Sequence, residues 1–93
     1  MGKLFEVIQA LVSKEHYVIG LHASERLEER GIMEWQVISC MEECELLKEK
    51  LDAEPNPTVE VLVTLPDGTE IKAVWSFLKS SQVTKLVTVH YFD

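Results

Sequence analysis

Thr58–Phe92 reads TVEVLVTLPDGTEIKAVWSFLKSSQVTKLVTVHYF, and this stretch decides the class of fold. Three runs within it, residues 58–65, 70–78 and 84–92, are rich in Val, Ile, Thr and aromatics and alternate apolar with polar. Period-two alternation of β-branched and aromatic residues is the signature of half-buried strands. Pro66-Asp67-Gly68-Thr69 stands between the first two runs, with Pro, Asp and Gly in the order a tight turn prefers, so those runs pair as a hairpin. Lys79-Ser80-Ser81-Gln82 joins the second and third. The alternation also sorts the faces. Val59, Val61, Val63 and Leu65, then Ile71, Ala73, Trp75 and Phe77, then Val87, Val89 and Tyr91 form the apolar face. The opposite face mixes Glu60, Thr64, Lys72, Ser76, Thr84, Thr88 and His90 with Leu62, Val74 and Leu86, and is expected to be wet and open to a ligand or partner.

Upstream of this stretch the period changes to that of helices. Leu4, Phe5, Ile8, Leu11 and Val12 recur at helical spacing and predict an amphipathic helix over 3–14. Residues 17–21 form a short β-prone run. A second helix is expected over 23–30, with Ala23 and Leu27 inward and Gly31 at the position where a left-handed cap is cheapest. A third helix is expected over 34–45, with acids in its first turn and Val37, Cys40, Met41, Cys44 and Leu47 on one face. Leu46–Leu51 reads either as a short strand or as the fraying end of that helix, and the two prolines of 53–57 mark a loop. The fold class is therefore α+β: one domain over 1–93, with N-terminal helices packed on one face of a three- to four-stranded antiparallel sheet.

Composition narrows the function classes. The chain has 93 residues, 46% hydrophobic and 27% charged, enough for one core without metal or disulfide staples. No apolar run approaches the roughly 18 to 20 residues of a membrane span, and the N-terminus lacks the regions of a secretory signal, so the expectation is a cytoplasmic protein with no membrane partner. Net charge is −7, and residues 25–54 alone hold ten acids against four bases. A field of that sign repels phosphate backbones and disfavours RNA as a partner. Cys40 and Cys44 sit at i, i+4 with no second Cys or His pair at zinc-finger distance, so they read as small core thiols in a reducing compartment. No metal site and no cofactor is expected: the chain has no glycine-rich phosphate loop, no HExxH and no four-ligand set.

One segment carries chemistry. In HASERLEERGI, residues 22–32, His22, Arg26 and Arg30 step by four and share a helix face, with Glu25 and Glu29 beside them. The row supplies an imidazole, able to give or take a proton, and two permanent cations for a phosphate or carboxylate. Those parts suit phosphodiester cleavage: a base for an attacking 2′-hydroxyl and cations for the charged transition state. The same row is equally what a solvated helix laced with ion pairs looks like, each pair contributing a few tenths of a kcal/mol. His16 falls in a junction, and His90 on the last strand becomes a second acid/base group if the sheet brings it, or Tyr91, near His22.

These residues also carry a resemblance. HASERLEERGI, followed by a helix, a hairpin with a DG turn and a last strand ending TVHYFD, resembles the bacterial domain of unknown function 4258 family over roughly residues 17–93. Members are similar to small toxin ribonucleases of the RelE and BrnT type, in which two N-terminal helices pack on a curved antiparallel sheet that holds the RNA. The resemblance places His22, Arg26, Arg30 and Gly31 at the motif positions. It implies a metal-independent endoribonuclease with His22, Arg26 and Arg30 as site residues and an antitoxin as partner, and the reading of the last strand adds His90 as the candidate second acid/base group. Such toxins are generally basic, and this chain, with pI near 4.9, departs from them. A non-catalytic protein-interaction module is the alternative, and a homodimer paired along the C-terminal strand edge a third.

Overall fold

The structure, a computed structural model, describes residues 2–92; Met1 and Asp93, the ends of the expected domain and of the TVHYFD motif, lie outside the described residues. The elements run α1 (Lys3–Ser13), β1 (Tyr17–Ile19), α2 (Leu21–Glu29), α3 (Glu34–Ser39), a 3-10 turn (Met41–Glu43), β2 (Glu45–Lys50), β3 (Thr58–Thr64), β4 (Glu70–Leu78) and β5 (Val83–Tyr91). The class is α+β, as the patterning implies. The sheet is larger than expected and not purely antiparallel: its five strands take the order β1-β5-β4-β3-β2, and β1 pairs parallel to β5 through Tyr17–Thr84, Val18–Lys85 and Ile19–Leu86. Among the described residues no helix is long and apolar enough to cross a membrane.

The β3–β4 hairpin forms as its turn residues dictate. Leu65 N donates to Thr69 O at 2.7 Å and Gly68 N to Leu65 O at 2.8 Å, with Gly68 at φ +90°. Asp67 Oδ1 accepts from Thr69 N at 2.9 Å, and that bond holds the Asp67 carboxyl below its ordinary range.

The third helix corrects the expectation for 34–45. It ends at Ser39, and after the 3-10 turn Cys44 is already extended at ψ 161°. The strand option for 46–51 wins because β3 offers an open ladder: Glu45 pairs with Leu62 and Leu46 with Val61, so backbone pairing replaces the helical bonds that 40–45 would have made. An irregularity between Leu46 and Lys48 then leaves Leu47 out of register, and Glu49 lies on the helical side of the sheet, where Glu49 Oε2 accepts from Phe5 N at 2.9 Å at the start of α1. A carboxylate there answers an amide that the helix cannot pair internally. Cys44 Sγ donates to Met41 O at 2.9 Å, and burial pushes its thiol up to about 11.

The core lies between the helices and one sheet face. Ile8, Val12, Ala23, Leu27, Val37 and Met41 meet the inward residues of β3, β4 and β5, with Trp75 fully buried at the centre and Tyr17 edge-on to it at 6.4 Å. Trp75 Nε1 is buried with no hydrogen-bond partner among the described residues, a cost the core carries. The inward set on β3 and β4 is the one the alternation predicts. On β5 it is not, because the ladder slips between Val74 and Trp75: Val74 faces Thr88, Trp75 faces Leu86, and Val87 is the extra residue. The bulge changes the parity, so Thr84 and Leu86 are buried before it and Val89 after it, while Val87 is only half-buried. Thr84 pays for its burial with a bond from Oγ1 to Ser76 O at 2.8 Å.

Candidate functional site

Helix α2 is positioned by its two ends. At its start Gly20 N donates to Leu86 O at 2.9 Å, which continues the β1–β5 ladder by one bond. Here the glycine supplies room: a Cβ would lie 2.9 Å from Leu86 O and 2.9 Å from Lys85 Cε. At its end Gly31 has φ +67°, Ile32 N donates to Leu27 O at 2.9 Å and Gly31 N to Glu28 O at 3.1 Å. These are the two bonds of a Schellman motif, and the left-handed residue is the glycine the sequence offers for it. Between these ends Ala23 and Leu27 are buried against the sheet, which fixes the phase of the helix and hence the direction of the row His22, Arg26, Arg30.

The row meets the far end of β5. Parallel pairing with β1 covers only Thr84–Leu86, so the edge of β5 beyond it has no strand neighbour on that side. Arg26 fills the gap: its Nε donates to Val89 O at 3.1 Å. Tyr91, two residues further along and on the same face, is overlaid by both guanidiniums, with Arg26 Cζ 5.3 Å and Arg30 Cζ 4.2 Å from the ring centroid. The Tyr91 hydroxyl donates to Arg26 O in the last turn of α2. Such a bond satisfies a carbonyl at a helix end, and it also uses the phenolic proton. The Arg26–Glu29 contact, at 3.9 Å and with Glu29 exposed, adds little.

Of the four site residues named from sequence, Arg26 and Arg30 are brought together on Tyr91. His22 lies in the first turn of α2, one turn before Arg26, and is exposed. His90 is exposed too, but strand alternation turns it to the face away from the helices, opposite Lys72. The strand therefore carries Tyr91 to the row and His90 to the other side of the same edge. Tyr91 acts here as a tether, a role its sequence context signals weakly: it follows the inward Val89 at period two. A shallow depression of about 280 Å³ adjoins the stack, lined by Arg30, Thr69, Tyr91 and Phe92 among others.

Charge is divided between the two sides. Lys48, Lys50, Lys72 and Lys85 fall on the register positions of the outer sheet face, together with Glu45, Glu60 and Glu70. Glu60 pairs with Lys50 Nζ at 2.9 Å and Lys72 Nζ at 3.4 Å, and the Lys50 bond above all holds its carboxyl below the ordinary range. More than half of the net −7 lies in the helical segment: residues 21–43 carry Glu25, Glu28, Glu29, Glu34, Glu42 and Glu43 against two arginines. Among the described residues no group of three or more His, Cys, Asp or Glu is placed to hold a metal ion. Chemically, the edge offers two guanidiniums held over one ring, suited to a phosphate, with an imidazole on each side of it.

No curated protein and no solved structure matches the chain. The family model described as Domain of unknown function (DUF4258) matches residues 19–91, from the end of β1 through β5, and the chain belongs to that family.

Proposed function

We propose that this protein is a small, metal-independent endoribonuclease of the toxin type, related in fold to the RelE and BrnT toxins and held by an antitoxin partner in the cytoplasm. One observation carries the reading: Arg26 and Arg30 are fixed side by side over Tyr91 at the edge of β5 beyond its pairing with β1. A single RNA strand crossing that edge meets the guanidiniums on the helical side and His90 with Lys72 on the other. Arg30 and the outer nitrogens of Arg26 take a phosphate. His22 removes the proton of the attacking 2′-hydroxyl, and His90 returns one to the leaving 5′-oxygen. The net acidity weighs less against RNA at this edge than the whole-chain figure suggests, because the outer sheet face carries four lysines against three acids.

The test is incubation of the pure protein with single-stranded RNA in the presence of a chelator. Cleavage leaving 2′,3′-cyclic phosphate ends is expected, falling at least about 100-fold in His22→Ala, within the range of a lost general base. Intact RNA under these conditions sinks the reading. A non-catalytic interaction module is the second reading. It is favoured by the engagement of both arginines with Tyr91, which is also what a purely structural clasp looks like, and it expects RNA to survive while a protein partner is retained.

A further inference from the structure

Beside the Gly31 turn, α2 and α3 border an open groove of about 550 Å³. Leu27 and Ile32 form its apolar wall, and Met33 and Trp35 stand at its lip, 58% and 61% exposed. The exposure of Trp35 follows from the phase of α3. Val37 is fully buried, and two residues along a helix is a rotation of about 200°, so the helix that buries one side chain must turn the other outward. An exposed Trp beside a flexible Met above an apolar wall is the composition of an interface anchor.

The rim identifies what can lie there. Glu28 and Glu34 line the groove, and no Lys or Arg is among its lining residues. Arg26 and Arg30, the cations nearest in sequence, are turned onto Tyr91 instead. A nucleic acid or an anionic lipid surface is repelled by this rim. A second copy docked about a two-fold axis would bring the same carboxylates face to face. We propose that the groove binds a basic amphipathic segment of a partner protein: apolar side chains at helical spacing enter over Leu27 and Trp35, and flanking Lys or Arg meet Glu28 and Glu34. This does not depend on RNA cleavage, and it supplies the partner chemistry for either functional reading.

The experiment uses two synthetic 15-residue peptides with Leu at i, i+3, i+4 and i+7 and either Lys or Glu elsewhere, titrated calorimetrically and by Trp35 emission. The Lys peptide is expected to bind with a blue shift, at least tenfold more tightly than the Glu peptide and more weakly as salt rises. Trp35→Ala should lose at least tenfold, and Glu28→Lys combined with Glu34→Lys should reverse the preference. All three positions are exposed; in Trp35→Ala the emission of the buried Trp75 verifies the fold, and circular dichroism verifies it for the charge-reversed variant. Equal binding of both peptides, binding of neither, or indifference to the charge reversal overturns the proposal. A concentration-dependent dimer abolished by Trp35→Ala would assign the groove to a second copy and overturn it as well. RNA cleavage measured on Trp35→Ala separates failure here from failure of the ribonuclease reading.

Discussion

The two ends of α2 are held in different ways. Its first turn is located by backbone proximity: no side chain caps it, Gly20 presses against Leu86 O, and Leu21 and His22 are exposed. Its last turn is held by side chains, with Tyr91 bonded to Arg26 O beneath two guanidiniums and a Schellman turn behind it. The row that looks uniform in sequence is therefore half fixed and half free. Fixed cations are preorganised for an anion and lose little entropy in binding one, whereas a free imidazole can follow the proton it transfers.

Removing the tether should have the largest effect. Tyr91→Ala deletes a half-buried ring, two cation–π contacts and the bond to Arg26 O, and should cost about 3 kcal/mol, lowering Tm by more than about 10 °C. Tyr91→Phe keeps the ring and should cost about 1 kcal/mol. Calorimetric melting of the pair separates stacking from hydrogen bonding, and equal losses would show that the hydroxyl alone matters. At the opposite end, Gly20→Ala should cost about 2 kcal/mol, since Lys85 Cε can swing away but Leu86 O cannot retreat without moving β5. A shift in the emission of Trp75, on which Tyr17 of β1 packs edge-on, would report that movement.

The same contrast explains what could be read from the chain. The three C-terminal strands, the DG turn and the Gly31 cap were legible because each is encoded within a few residues: alternation, turn chemistry, a glycine where φ must be positive. The parallel pairing of β1 was not, because three residues, Tyr17–Ile19, choose a partner more than sixty positions away and nothing local marks the choice. β2 reads poorly because ELLKEK lacks β-branched residues and has helix-forming ones. The bulge at Val87 leaves one trace, the adjacent apolar pair Leu86-Val87 where alternation allows a single apolar residue. At the site, helical spacing shows that His22, Arg26 and Arg30 share a face, but the partner of that face is set by how α2 packs on β5. Tyr91 therefore emerges as a tether only in three dimensions.

The helix ends permit a finer test of backbone strain. α1 closes with the same two bonds as α2, His16 N to Leu11 O at 2.8 Å and Glu15 N to Val12 O at 3.0 Å, but its left-handed residue is Glu15 at φ +62°. Gly31→Ala should destabilise by about 1 kcal/mol, all of it conformational because, among the described residues and apart from its chain neighbours, nothing lies within 4 Å of the new Cβ. Glu15→Gly should stabilise by about the same amount or slightly less, and chemical denaturation of both variants reads the two values against each other.

His22→Ala should have the smallest effect on folding and the most informative effect on function. The side chain is exposed, so denaturation should move by less than about 0.5 kcal/mol. Tyr91→Ala would disturb activity and stability together and so would not distinguish a clasp from a catalytic edge. His22→Ala leaves the clasp in place and removes only the imidazole. A fully folded His22→Ala protein that still cleaves RNA at the rate of the parent would strip the free end of α2 of its chemical role. If cleavage is lost with stability unchanged, the fixed end binds the phosphate and the free end moves the proton.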